Sequence, residues 1–174
     1  MDNTFKRAPH NPPHWFQANM IYMLTASIYQ GEHVIHSSER KIIWCNSFFE
    51  AAKLYSWHII AWVVLSNHYH VIVESPKNPS SLSKFIASYH KFTARQWNNE
   101  ENALGRKVWW NYWDTCIRSE KDFYNRLQYI FWNPVKHELV ENPEDYLFSS
   151  YKDYLEQDNI DFIGLEEVND VPEF

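Results

Sequence analysis

The run Asn67-His68-Tyr69-His70-Val71-Ile72-Val73 constrains this chain more than any other. Side chains alternate along a strand, so His68 and His70 project from one face. Two neighbouring imidazoles pack poorly in a core but make suitable donors for a divalent metal. A polar face at a strand edge gives the same pattern, so the rest of the chain has to decide between the two.

Around that run the sequence alternates strand and helix signals. Residues 19–29 are apolar on both faces, as in a covered central strand, and Gly31 closes them. Ser37 and Ser38 with Glu39 start a helix on which Ile42, Cys45, Phe49, Ala52 and Tyr55 recur at helical spacing. Residues 57–65 and 68–74 read as two strands joined by the short turn at Ser66-Asn67. After Pro76 and Pro79, Ser80 or Ser81 caps a helix running to about residue 98, with Leu82, Ile86, Tyr89 and Thr93 on its core face. Residues 107–117 form an aromatic fourth strand. Ser119 then caps a helix with Phe123, Leu127 and Ile130 on one side, expected to end near Trp132 because Pro134 disfavours helix at Asn133. The order predicts an α+β, ferredoxin-like βαββαβ sandwich with an antiparallel sheet and an added C-terminal helix. One domain over residues 1–152 and an acidic tail over 153–174 are expected.

Composition enters at the question of partners. The net charge of −6 argues against a polyanionic ligand, but it is unevenly spread. All 16 Lys and Arg lie in residues 1–152 beside 14 of the 22 acids, leaving +2, whereas residues 153–174 hold eight acids and no base. The tail reads as a solvated segment or as a competitor for the basic surface. Aromatic residues reach 18% with nine Trp, which suits either a Trp-rich core or a surface for unpaired bases. Cys45 and Cys116 read as reduced core residues, no signal peptide pattern opens the chain, and no apolar run is long enough to span a membrane. A cytoplasmic protein is the expectation. His33, His36, His58, His90 and His137 read as surface or satisfied core residues rather than ligands.

On the helix of residues 80–98, Phe92 and Gln96 stand one above the other, near the core face. Lys84, Lys91 and Arg95 gather on another face. Beside a metal such a stripe would suit a phosphate backbone; otherwise it is a solvated helix face. Arg106, Lys107 and Arg118 would add to it.

Ser66 to Val73 resembles the signature PNHVHLLV of the single-tyrosine HUH transposases, and residues 88–98, with Phe92-Thr93-Ala94-Arg95, are similar to a helix carrying YTAR. Residues 109–118 resemble FWQREYWDRxIR, residues 129–136 resemble YIxxNPVKAGLV, and residues 142–150 resemble xPEDYPWSS, the pattern of the REP-associated branch. The resemblance implies a metal-dependent endonuclease and strand transferase acting on hairpin single-stranded DNA. A tyrosine attacks phosphorus, leaving a 5′-phosphotyrosyl link and a free 3′-OH, with Mg²⁺ or Mn²⁺ held by His68, His70 and an amide one turn after the nucleophile. Matched on the YTAR segment, that amide is Gln96 and the nucleophile position is Phe92, which has no oxygen. Three readings follow: a Tyr→Phe variant that holds substrate uncleaved, a hairpin-binding module without chemistry, or Tyr89 acting one turn earlier. A monomer is implied rather than a dimer.

Overall fold

The computed structural model describes residues 19–156. Four strands, β1 (Ile21–Ile28), β2 (His58–Val64), β3 (His68–Glu74) and β4 (Trp109–Ile117), make one antiparallel sheet in the order β2-β3-β1-β4. That is the ferredoxin-like arrangement expected from the sequence. Thr25 pairs with both His70 and Trp113, and Val63 pairs with His70 on the other side, so these four residues cross the sheet in one row.

Helices α1 (Ser38–Tyr55) and α2 (Leu82–Glu100) cover one face. Tyr69, Val71 and Val73 point into this layer and meet Trp44, Phe48, Phe85, Ile86 and Tyr89. Fully burying each such side chain is worth roughly 1.5–3 kcal/mol. Trp57 stacks on Phe85 at 5.6 Å, so Phe85→Ala removes both an aromatic contact and core volume. The buried face of α1 carries Arg40, Lys41, Trp44, Cys45, Phe48, Ala51 and Ala52; Cys45 and Ala52 of the expected stripe lie on it, whereas Ile42 and Phe49 are 49% and 38% exposed. Arg40 turns inward at the start of this face. Its guanidinium donates to Val34 O and pairs with Glu100 and Glu101, which tie the start of α1 to the end of α2.

Helix α3 (Glu120–Lys136) covers the opposite face. Ser119 caps it by accepting from Asp122 N at 3.1 Å. Contrary to expectation, the helix continues through Pro134 to Lys136. His137 N donates to Asn133 O and Leu139 N to Pro134 O, so the last turn is closed around the proline. Asn133 therefore stays helical, one turn beyond Tyr129. Leu127, Ile130 and Phe131 pack on Met23, Ala61, Val63, Ile72 and Ile117. The short α4 (Tyr151–Glu156) joins this layer, with the Tyr154 hydroxyl donating to Ile60 O at 2.9 Å. The packed body thus passes residue 152, the expected boundary, and the remainder of the acidic tail lies outside the described residues. Among those residues no helix is long and apolar enough to cross a membrane.

Candidate active site

The two faces of β3 part company at the histidines. His68 and His70 lie on the α3 face, their ring centroids 5.0 Å apart. His70 and Thr25 share a 2.7 Å hydrogen bond through Nδ1 and Oγ1. His68 Nδ1–H donates to Asn67 Oδ1 at 2.7 Å, leaving its Nε2 as a lone-pair donor. Ordering one ring nitrogen in this way orients the other toward a ligand. Burial holds His68 down to about 4, with His137 adding like-charge opposition, and holds His70 well below its ordinary value. Both rings are therefore neutral near pH 7, the state in which imidazole binds metal.

Tyr129 of α3 sits edge-on to His70 at 5.0 Å, and the Lys136 ammonium lies 5.6 Å from the Tyr129 ring centre. His137 stands 5.0 Å from His68. A cleft of about 210 Å³ is lined by Thr25, Ser27, Asn67, His68, His70, Trp113, Tyr129, Lys136 and His137. Asn133 is fully buried and its amide faces His68, but neither Oδ1 nor Nδ2 makes a hydrogen bond of good geometry; nor does His70 Nε2. Buried polar groups left open normally cost about 1–3 kcal/mol each, so a cluster of them calls for an explanation.

The residues fit a metal ion. Among the described residues no three His, Cys, Asp or Glu side chains gather into a site, so a third donor has to come from elsewhere. The Asn133 amide would offer an oxygen. Two imidazoles and an amide oxygen, with no thiolate, suit Mg²⁺ or Mn²⁺ with water in the open positions.

The residues expected on the helix of 80–98 are elsewhere. α2 lies on the far face of the sheet, so Phe92 and Gln96 cannot reach the histidines. Phe92 is 56% exposed, and Gln96 is an exposed residue whose amide donates to Glu100 at 3.4 Å. Neither serves as nucleophile position or ligand, and Phe92 says nothing about activity. Tyr89 is buried on the same far face, its hydroxyl 2.6 Å from that of Tyr69 and its pKa pushed well up by burial, so it is no nucleophile either. Lys84, Lys91 and Arg95 are exposed on α2, across the sheet from the cleft. Arg106 is engaged by Asn98 and Glu101, and Lys107 lies 3.9 Å from the centre of the Trp110 ring. Arg118 is exposed where β4 ends. None of the six lines the cleft. Lys136 does, and sequence reasoning missed it together with Tyr129, Asn133 and His137. The signal was available: Tyr129 and Asn133 are four residues apart on a helix, in the segment that resembles YIxxNPVKAGLV but was given no chemical role.

A sequence profile of the IS200-like transposases matches residues 18–130. The chain belongs to that family. A Haemophilus influenzae protein named as a REP-associated tyrosine transposase is 30% identical over 115 residues, covering 61% of this chain and 65% of the relative. The REP-associated tyrosine transposase of Escherichia coli is 35% identical over 98 residues, covering 55% of this chain and 54% of the relative. The matched part thus spans about two thirds of one relative and half of the other. A solved REP-associated tyrosine transposase bound to a REP hairpin superposes with a TM-score of 0.74 over 95% of both chains at 20% identity, which shows a shared fold.

Proposed function

We propose that this IS200-like transposase cleaves and rejoins single-stranded DNA next to a hairpin, with Tyr129 as the nucleophile. The observation that carries the reading is the placement of Tyr129 and Asn133, one turn apart on α3, over the His68–His70 pair. Tyr129 Oη forms a bond to phosphorus as the P–O3′ bond breaks. The phenolic proton leaves, the 3′-oxygen gains one to become a 3′-OH, and the 5′ side stays linked as a phosphotyrosine. Retaining a phosphoester makes the reverse step equally accessible, which is what strand transfer needs. The Lys136 ammonium near the ring puts a positive charge beside the place the anionic phosphate would occupy. His68, His70 and Asn133 would hold a divalent cation, Mg²⁺ or Mn²⁺, which supplies neutralisation of charge on the non-bridging phosphate oxygens. Thr25 and Asn67 fix the orientation of the two imidazoles.

Hairpin DNA as the substrate is supported by the fold shared with the hairpin-bound transposase and by the relatives named above. The test is incubation of an end-labelled hairpin oligonucleotide, carrying single-stranded flanks, with protein and Mn²⁺. A denaturing gel should show a covalent adduct that Tyr129→Phe abolishes and Phe92→Ala leaves intact. An adduct that survives Tyr129→Phe rejects the assignment.

A further inference from the structure

The large aromatic residues of β4 have three distinct surroundings. Trp109 is buried, its Nε1–H donating to Thr93 Oγ1 at 2.9 Å. Trp110 is 41% exposed, with the Lys107 ammonium over its ring and Tyr29 5.2 Å away. Trp113 is 47% exposed and lines the catalytic cleft with His68, His70 and Tyr129. It also lines a second, smaller hollow with Thr115 and Arg126. The residues beside it on this face are short: Thr25 pairs directly with it across the sheet, and Thr115 is two positions along the same strand. β4 is an outer strand, so beyond Trp113 the sheet has no further strand among the described residues.

We propose that Trp113 is the platform on which one unpaired base, next to the phosphate attacked by Tyr129, stacks. The proposal rests on the nuclease reading above and deepens it by assigning a positioning residue for the base. A phosphate placed at Tyr129 leaves its flanking nucleotides within the cleft mouth, and a half-exposed indole there offers the broad apolar face that bases stack on. Stacking tolerates any base, because every base presents a π face. Trp113 thus sets the position of the strand, not its sequence.

The experiment uses the full chain carrying Tyr129→Phe, so that DNA is bound and not cut. Hairpin oligonucleotides carry 2-aminopurine at one or other position flanking the scissile phosphate. One position should be quenched on binding, with quenching retained in Trp113→Phe and lost in Trp113→Leu. Affinity in Trp113→Leu should fall on the order of tenfold with an unchanged salt slope, since no phosphate contact is removed. Phe92→Ala, on the far face, should change neither readout. In a parallel measurement that needs no change at Trp113, a photoactivated 5-bromouracil at the quenched position should form its adduct on Trp113, read by peptide mass spectrometry. Quenching and affinity that persist in Trp113→Leu, or an adduct on another residue, overturn the proposal while leaving the nuclease reading standing. Failure of the parent protein to bind any hairpin overturns both.

Discussion

The two faces of the sheet bury polar groups in opposite ways. Under α1 and α2, Tyr69 Oη meets Tyr89 Oη at 2.6 Å and His90 Nε2 at 3.0 Å, and His90 lies flat on Trp109 at 4.2 Å. Thr93 Oγ1 accepts from Trp109 and donates to Tyr89 O at 2.7 Å. That network closes on itself. Under α3, Nε2 of His70, the next residue of the same strand, and both polar atoms of Asn133 on the helix are left without a well-formed hydrogen bond. A closed network is a structural device, whereas open acceptors that line a cleft can take their completing group from outside. Histidine content does not separate the faces, since each has its own. The kind of group left open does: under α1 and α2 the indole N–H groups of Trp44 and Trp97, which can only donate, lack a partner, whereas under α3 an imidazole nitrogen and an amide oxygen, which can bind a cation, do.

The largest effect should come from Tyr129, the proposed nucleophile on the open face. Tyr129→Phe should lower cleavage by about 10³-fold or more, while Phe92→Tyr on the opposite face should add none. Cleavage gained through Phe92→Tyr would mean that the contrast between the faces has been misread.

Asn133 sharpens the comparison, because function and stability should move in opposite directions there. Asn133→Leu should abolish metal-dependent cleavage and, with chelator present, raise stability by roughly 1 kcal/mol as an unsatisfied amide is removed. Tyr89→Phe, in the closed network, should lower stability by about 1 kcal/mol and leave cleavage unchanged. Thermal melts in chelator and gel assays in Mn²⁺ measure both. A strongly destabilised Asn133→Leu would show that the amide already has its partners.

The closed face should also reveal itself through pH. Burial depresses His90 from 6.5 to about 3, so the folded state resists its protonation while the unfolded chain accepts it. The contribution is therefore fully present above about pH 6.5 and is lost as pH falls from there toward 3. Denaturant titrations of the wild type and His90→Phe should diverge less at pH 5 than at pH 7.5. A constant difference over that window would rule out a depressed His90.

The smallest effect should lie on the exposed side of α2. Lys84→Ala, Lys91→Ala and Arg95→Ala should each leave the salt slope of hairpin binding unchanged, whereas Lys136→Ala in the cleft should lower it by about one unit. Slopes from filter binding at several salt concentrations decide the matter, and equal slopes for all four variants would erase the distinction.

Much of this molecule was determined by sequence alone. Alternation put His68 and His70 on one face of a strand, and the order of strand and helix signals implied the sheet. Ser37 and Ser119 marked the true starts of α1 and α3. These are local properties, set by backbone geometry within a few residues. Which helix lies over the histidines is not local. α2 and α3 each have an apolar stripe of about the same strength, and nothing within either segment says which side of the sheet it will cover. Packing decided it: α1 and α2 close over Tyr69, Val71 and Val73, and α3 takes the face that remains. The same nonlocal packing kept α3 helical past Pro134, because burial of Asn133 and the closed last turn outweigh the local preference of a residue before proline. Without that turn Asn133 would not stand above the histidines, and only the tertiary structure supplies it.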